Sequence, residues 1–374
     1  MKDNIFIGQE DFNLDRKPKI GVLLTNLGTP DAPTKKALKV YLKEFLSDPR
    51  VIELPAWKWK PILNGIVLNT RPAKVAKAYE SIWTDEGSPL LVTTKKQAEL
   101  LKENLEDVEV SVGMRYGNPS IASGLQELRD KGVEKILLLP MYGQYASATA
   151  GSTFDAVVDE LKTWRWVPEL RTVMQFHDED FYINSLAENV KKHWAEYGKA
   201  EVFLMSFHGI PKRYFMGGDP YFCHCQKTGR LLAEKLGITD YVVSFQSLFG
   251  KEEWIKPYTD KTLISLAKSG VKSVDVICPG FLADCLETIE EIEEENKENF
   301  IEAGGKKFSY IHALNDNKYF MLGLSHFVKE QMQGWGFKQR KSQKYCEQAR
   351  FNQGDYIEAK EEKTTEEECK LATK

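Results

Sequence analysis

Short runs rich in Val, Ile and Leu recur along the chain, and longer amphipathic stretches separate them. Several runs are apolar without alternation, which is typical of strands that are buried on both faces of a sheet. Strands that alternate with helices predict right-handed βαβ units and hence parallel sheets flanked by helices. The predicted strands cover residues 19–26, 108–113, 135–141, 171–176, 202–207, 241–245 and 274–278.

The strand–helix pattern restarts near the middle of the chain, at the sequence WRWVP of residues 164–168. We therefore predict an α/β fold of two doubly wound domains, residues 1–165 and residues 166–330, with a cleft between them. Residues 331–374 are polar and contain Lys/Glu runs, so they have little apolar surface to offset the entropy cost of ordering. We predict that this segment is a mostly disordered tail.

Composition narrows the class of protein. Of the 374 residues, 42% are hydrophobic and 28% are charged, and the net charge of −4 gives no general attraction to nucleic acid. No apolar run approaches the roughly 18–20 residues that span a bilayer, and the start of the chain lacks a long apolar segment. The six cysteines are too few for a disulfide framework, so we expect a cytoplasmic enzyme. The segment around Trp57 and Trp59 is amphipathic enough to permit a peripheral contact with the inner membrane.

A histidine follows the apolar run of residues 202–205, in the sequence SFHGIP of residues 206–211. Gly209 and Pro211 stop the predicted strand, so His208 is expected at its carboxyl end, where ligands bind in open α/β sheets. A neutral imidazole at that point can take a proton or ligate a divalent metal. The alternative is a core histidine whose nitrogens are satisfied by the backbone.

Acidic residues follow the predicted strand 274–278. On an α-helix over residues 286–298, Glu287, Glu291 and Glu295 share one face, and Leu286, Ile289 and Ile292 share another. Like charges four residues apart destabilise a helix, and no basic residue offsets them before residue 297. Such a ladder is suited to carrying cations or protons, and the alternative is a solvated face of an amphipathic helix.

The segment of residues 141–152, MYGQYASATAGS, follows a predicted strand and should face the same cleft, where its aromatic and small polar side chains suit a flat apolar ligand. The alternative is an ordinary strand–helix loop. The turn after the first strand lacks both the G-x-G-x-x-G fingerprint and the P-loop lysine, so nucleotide binding has little support. Cys223 and Cys225, with Cys278 and Cys285, leave an iron–sulfur or zinc cluster open as a less favoured alternative because their spacing is unusual.

Several motifs together resemble the ferrochelatase family, and they occur in the family's order between residues 18 and 330. The motifs are LLTNLGTPD (23–31), GSPL (87–90), SFHGIP (206–211), GDPY (218–221), FQS with FG (245–250), CPGF (278–281) and DCLET (284–288). The resemblance is greatest to the proteobacterial type. It implies two Rossmann-like, chelatase-type domains and the insertion of ferrous iron into protoporphyrin IX to give protohaem, the last step of haem biosynthesis.

The resemblance also implies roles for individual residues. It makes His208 and Glu287 the catalytic pair at the iron site, with Glu291 as a further iron ligand and Glu295 continuing the acidic path. It places Leu27, Arg115, Tyr116, Tyr142 and Ser147 in the porphyrin cleft. Members that act on coproporphyrin typically carry Tyr where this chain has Leu27, which favours protoporphyrin.

The resemblance implies no nucleotide and no cofactor beyond the substrate iron. Animal members carry a cluster-binding cysteine group near the carboxyl end, but Cys346 and Cys369 lie too far apart to repeat it. Two other interpretations stay open: a non-catalytic tetrapyrrole carrier or sensor, and a chelatase for another metal or tetrapyrrole. The sequence gives no oligomeric state.

Overall fold

The apolar runs form two parallel sheets of four strands each, with strand orders β2-β1-β3-β4 and β6-β5-β7-β8. The computed structural model describes residues 5–8, 17–250 and 252–336. Every pair within the two sheets is parallel, which confirms the predicted fold class. The strands are β1 Lys19–Thr29, β2 Val108–Gly117, β3 Val133–Pro140, β4 Glu169–Thr172, β5 Val202–His208, β6 Val242–Gln246, β7 Ser273–Ile277 and β8 Lys307–Ile311.

Helices flank both sheets, and side-chain caps fix several of their starts. Thr34 accepts from the amide of Ala37 at the start of the helix Lys35–Phe45, and Asn317 accepts from two amides at the start of the helix Lys318–Gln331. The α-helices are α1 Lys35–Phe45, α2 Ala56–Ile62, α3 Leu68–Ile82, α4 Pro89–Asn104, α5 Ile121–Asp130, α6 Ser152–Leu161, α7 Asp180–Tyr197, α8 Lys212–Met216, α9 Tyr221–Leu236, α10 Thr259–Lys268, α11 Leu286–Thr288, α12 Lys297–Glu302 and α13 Lys318–Gln331. Three π-helical segments interrupt them: π1 Leu63–Val67, π2 Ser147–Gly151 and π3 Ile289–Asn296.

The first sheet extends beyond the boundary that the sequence predicts. β4 lies after residue 165, yet it pairs with β3, and Leu170 packs on the core of the first domain. The predicted boundary between residues 165 and 166 therefore falls too early, because the Trp- and Pro-containing segment 164–168 leads into the edge strand of the first sheet. The strand itself is also shorter than the predicted 171–176.

Order also continues past residue 330. Trp335 is buried, and the guanidinium of Arg171 stacks 4.4 Å from the centre of its ring. The indole nitrogen donates to Glu169 at 2.6 Å. The predicted disordered tail of residues 331–374 is therefore wrong for its first residues, since one large aromatic side chain fixes them, and residues 337–374 lie outside the described part of the chain.

One apolar cluster spans both domains. It joins Val22 and Leu24 of β1 to Phe203 and Met205 of β5, and Phe320 of α13 belongs to the same cluster. Helix α13 also packs against both α4 and α7. This shared core fixes the two sheets relative to each other. The carboxyl ends of both sheets consequently face one cleft.

Candidate active site

A cavity of about 1070 Å³ lies at the carboxyl ends of the two sheets. Asn26 and Leu27 of β1 and Tyr142, just after β3, line it from the first domain. His208 of β5 and Gln246 of β6 line it from the second. This location agrees with the general position of ligand sites in open α/β folds.

The helical segment between β1 and α4 covers one side of the cavity with apolar side chains. These lining residues are Leu42, Phe45, Leu46, Val51, Ile52, Leu54 and Trp59. Most of the titratable lining side chains come from the second domain, among them His208 and Glu287. A cavity lined by both a large apolar surface and several polar side chains accommodates a flat apolar ligand that has reactive or polar groups.

His208 ends strand β5 and is only partly buried. Its Nδ1 lies 2.6 Å from the carbonyl oxygen of Gly209. Because a carbonyl oxygen only accepts, Nδ1 carries the proton in this contact, and the lone pair of the neutral ring is on Nε2. The rings of Trp254 and Phe281 lie 6.3 and 6.5 Å from the imidazole, centre to centre. His208 is thus set up to accept a proton or to bind a metal through Nε2.

Gly209 allows the backbone beside His208 to approach the neighbouring strand. A Cβ atom at this position would lie 2.9 Å from the carbonyl oxygen of Gln246. The same carbonyl accepts from the amide of Gly209 at 2.8 Å. The glycine in SFHGIP is therefore needed for close packing at the site.

Glu287 lies in α11, the single helical turn after β7, and its side chain lines the cavity. A capping box fixes the turn: the amide of Cys285 donates to Oγ1 of Thr288 at 3.0 Å. Gln246 donates through Nε2 to the carbonyl of Glu287 at 2.6 Å. The carboxylate is thus presented by a short, well-anchored turn.

Gln246 connects the histidine strand to the acidic segment. It lies directly opposite His208 in the β5–β6 register. Its Oε1 accepts from Ser206 at 2.6 Å, so the direction of the amide is fixed, and its Nε2 faces the carbonyl of Glu287. The amide is buried and hydrogen-bonded at both ends. It therefore fixes the position of the Glu287 backbone relative to strand β5, which carries His208.

Glu291 is held by both polar groups of Ser247. The amide of Ser247 donates to Oε1 at 2.7 Å, and its hydroxyl donates to Oε2. Ser247 has φ +65°, an uncommon conformation for a residue with a side chain. Burial raises the pKa of Glu291 to about 7, and the negative charge of Glu287 adds to this, while the Ser247 bonds oppose it. Glu291 can therefore exchange a proton near neutral pH.

The acidic segment is a π-helix from Ile289 to Asn296, whereas the sequence pattern predicted an α-helix. The predicted shared apolar face of Leu286, Ile289 and Ile292 is wrong. Ile292 packs into the core of the second domain, and the other two pack against the cluster under α1–α3. The wider turn brings a broad row of polar side chains to the cavity, which is typical of π-helices at functional sites. The row consists of Glu287, Glu290, Glu291, Glu295 and Asn296.

Leu27 and Tyr142, two of the predicted porphyrin contacts, line the cavity. The hydroxyl of Tyr142 is buried and has no hydrogen-bond partner among the described residues. Burial raises the pKa of this phenol above its ordinary value, so it stays protonated and can donate to a ligand.

Arg115, Tyr116 and Ser147, the other three predicted porphyrin contacts, are not on the cavity wall. Tyr116 is fully buried, and its hydroxyl donates to Asp48 at 2.8 Å. The guanidinium of Arg115 also pairs with Asp48. Burial tends to raise the pKa of Asp48. Hydrogen bonds from Ser152, from the amide of Arg50 and from Tyr116, together with the charge of Arg115, outweigh burial and hold the pKa below its usual range. The charges of Arg115 and Asp48 offset each other, and neither side chain is among those that line the cavity.

The cysteines are separated in the structure. Cys223 is exposed and Cys225 is buried on α9, while Cys278 and Cys285 are buried after β7. Within residues 5–8, 17–250 and 252–336, no group of three or more His, Cys, Asp or Glu side chains is arranged to hold a metal ion. Cys346 and Cys369 lie outside the described residues.

Arg71 is a cavity residue that the sequence pattern did not single out. Its guanidinium lies 4.2 Å from the ring centre of Phe249, and burial lowers its pKa. No carboxylate pairs with it in the described part of the chain, whereas Arg213, another residue that lines the cavity, pairs with Glu53 and Glu252. Its unpaired charge indicates a place for an anionic group of the ligand.

A family model described as Ferrochelatase matches residues 19–332. The chain belongs to the ferrochelatase family. It is 57% identical over 330 residues to the ferrochelatase of Hydrogenovibrio crunogenus, a match that covers 85% of this chain and 87% of that protein. It is 54% identical over 337 residues to the ferrochelatase of Thioalkalivibrio sulfidiphilus, covering 88% and 91%. The predicted resemblance to the proteobacterial type is confirmed.

Solved structures support the fold independently. The structure described as SirB from Bacillus subtilis with Fe3+ matches with a TM-score of 0.52 at 10% sequence identity, covering 85% of this chain and 97% of that one. At this identity the similarity shows the fold alone, and it confirms the predicted chelatase-type architecture. Among the described helices, none combines the length and the apolar character that a membrane span needs.

Proposed function

We propose that this protein inserts ferrous iron into protoporphyrin IX to form protohaem, the terminal step of haem biosynthesis. Membership of the ferrochelatase family supports the activity. The observation that carries the proposal is that the imidazole of His208 and the carboxylates of Glu287 and Glu291 line one cavity with a large apolar wall. A non-catalytic carrier would need the apolar wall but not this row of carboxylates.

The reaction releases two protons for each iron that enters, because the free porphyrin carries two pyrrole N–H groups and the ion enters as Fe²⁺. His208 accepts a pyrrole proton or ligates the incoming iron through Nε2, the nitrogen that its contact with Gly209 leaves unprotonated. Glu287 is the second member of the pair. Glu291, whose pKa is about 7, accepts and releases protons at neutral pH, and the exposed Glu295 continues the path to solvent.

The rest of the macrocycle supplies the binding energy. A planar porphyrin holds its nitrogen lone pairs in the ring plane, so bending the ring exposes them to the metal, and contacts remote from the nitrogens offset the strain. Leu27 and Tyr142 contact the ring, and the aliphatic Leu27 favours protoporphyrin over coproporphyrin. Arg115 and Tyr116 pair with Asp48 outside the cavity lining, and the hydroxyl of Ser147 accepts from Arg50 at 2.9 Å. Iron is a substrate in this proposal, and no resident cofactor is required.

We also propose that the protein is cytoplasmic and contacts the inner membrane through the α2–π1 segment. Trp57 and Ile66 on this segment are 74% and 61% exposed, and Lys58 and Lys60 lie beside them. Exposed apolar side chains flanked by lysines bind the interface of an anionic bilayer. Leu54 and Trp59 of the same region line the cavity, so a bilayer contact would bring an apolar substrate close to the cleft. Co-sedimentation with anionic vesicles tests this, and unchanged binding by Trp57→Ser would refute it.

The activity is tested by mixing the protein with Fe²⁺ and porphyrin without oxygen and following the absorption spectrum. We expect catalytic conversion of protoporphyrin IX and slower conversion of coproporphyrin. A spectrum that changes only in proportion to the protein added would show a carrier or sensor and refute the proposal. Preference for another metal in a parallel panel would indicate a different chelatase.

A further inference from the structure

The carboxylate of Asp284 lies buried three residues before Glu287, with a side chain that is 10% exposed. Its Oδ1 accepts from the hydroxyl of Tyr310 at 2.7 Å and from the amide of Ala313 at 3.2 Å. Its Oδ2 accepts from the amide group of Asn315 at 2.8 Å. Asp284 does not line the cavity, so its bonds serve the surrounding structure rather than a ligand.

Asp284 also fixes the turn that presents Glu287. Its Oδ1 accepts from Oγ1 of Thr288 at 3.0 Å. The same hydroxyl oxygen accepts from the amide of Cys285, so Thr288 closes the capping box on one side and binds Asp284 on the other. Glu287 lies between these two anchored residues. The orientation of Asp284 is therefore transmitted to the backbone that carries the Glu287 carboxylate.

His312, the residue directly after β8, is the solvent-exposed donor to Asp284. Its Nδ1 lies 3.2 Å from Oδ2 of Asp284, and its side chain is 60% exposed. The hydrogen bond to Asp284 raises the pKa of the imidazole above its ordinary value, and Glu293 on π3 adds to this, while desolvation opposes it. His193 on α7 and Tyr310, whose ring centre lies 5.1 Å from that of the imidazole, are further titratable side chains near His312 in the described chain. A bond from a charged donor is roughly twice as strong as one from a neutral donor.

We propose that His312 is a positioning residue for Glu287, acting through Asp284, and that metal insertion is faster while this imidazole carries its proton. The inference rests on the proposed function. Of the groups that bind Asp284, only His312 changes charge with pH in the physiological range. Protonation of His312 strengthens its hydrogen bond to Asp284. Because Asp284 also binds Thr288, the turn that bears Glu287 is then fixed more firmly. His312 does not touch the substrate, so its effect should appear in turnover rather than in porphyrin affinity.

The test compares His312→Gln with His326→Gln, a matched change of an exposed histidine on α13. Anaerobic insertion is measured from pH 6 to pH 9 for both variants and the wild type. At pH 6 we expect the kcat of His312→Gln to be about three- to tenfold below wild type, with KM for porphyrin unchanged. The ratio should approach one as pH rises, because the wild-type imidazole loses its proton. His312→Lys, which keeps a cation, should restore kcat and hold it to higher pH, and His326→Gln should match the wild type.

The ratio of variant to wild type cancels the other groups whose titration the substitution leaves unchanged. A ratio that does not vary with pH, or a His312→Lys variant no better than His312→Gln, would overturn the inference. So would a fall in the unfolding midpoint with kcat per folded molecule unchanged, which would show a purely structural role. An inactive wild type would instead refute the proposed function, so the two failures are distinguishable.

Discussion

Replacing Glu291 with Gln should change how stability depends on pH. The folded protein raises the pKa of this carboxyl from 4.5 to about 7, chiefly by burial. A raised folded-state pKa contributes stability that is fully present below about pH 4.5 and is lost as pH rises through about 7. A shift of this size corresponds to about 3 kcal/mol at high pH. The Gln side chain cannot ionise, so the variant escapes this loss.

Urea unfolding of the metal-free protein at pH 5, 6, 7 and 8 measures the effect. We expect the free energy of unfolding of the wild type to fall by about 2–3 kcal/mol more than that of Glu291→Gln between pH 5 and pH 8. Glu295→Gln is the control: the same change is made on an exposed side chain of the same π-helix, where burial is absent. If the curves of wild type and Glu291→Gln run parallel, the carboxyl of Glu291 is not held in its protonated form, and the proposed proton path fails.

Three further predictions concern the cavity and its frame. Arg71→Met should raise KM for a porphyrin with free propionates about tenfold and leave KM for its dimethyl ester unchanged; equal effects on both would show that Arg71 binds no carboxylate. Gln246→Leu should lower kcat at least tenfold because the carbonyl of Glu287 loses its hydrogen-bond donor. Steady-state kinetics of iron insertion measure this, and an unchanged kcat would contradict it. Gly28→Ala should lower the free energy of unfolding by more than about 2 kcal/mol. Gly28 has φ +105°, and a Cβ atom there would lie 1.8 Å from the carbonyl oxygen of Tyr116. An unchanged unfolding midpoint would contradict this prediction.

The sequence predicted the two-sheet architecture because most strands are buried on both faces and therefore stand out as apolar runs. The sequence pattern places β4 in the wrong domain for the opposite reason: it is a short edge strand, and none of its four residues is fully buried. Its place in the first sheet depends on pairing with β3, which no local pattern encodes. Trp335 shows the same limit, since a single aromatic residue fixes the start of an otherwise polar segment.

The sequence predicts the site residues where a side chain of suitable chemistry also lies directly after a predicted strand. His208 follows an apolar run and is stopped by glycine, and the glutamates at intervals of four stay on one side in either type of helix. The sequence does not predict the π-helix because the same residues also fit α-helical spacing. Gln246 was not assigned a role, although it ends the strand that neighbours His208, and that position was the available signal.

Arg115 and Tyr116, which the resemblance places in the porphyrin cleft, lie outside the cavity lining in the structure. They lie at the end of β2, close to the cleft, but Asp48 from the loop after α1 pairs with both and keeps them out of the lining. A residue distant in sequence decides this, so the strand pattern alone did not reveal it.

The rate of iron insertion by His208→Ala, measured without oxygen beside His326→Ala, tests the central claim most directly. We predict a rate at least about 10²-fold below wild type, with porphyrin still bound and an unchanged rate for the His326→Ala control. Insertion by His208→Ala at close to the wild-type rate would contradict the account, since the imidazole at the end of β5 would then take no part in the chemistry.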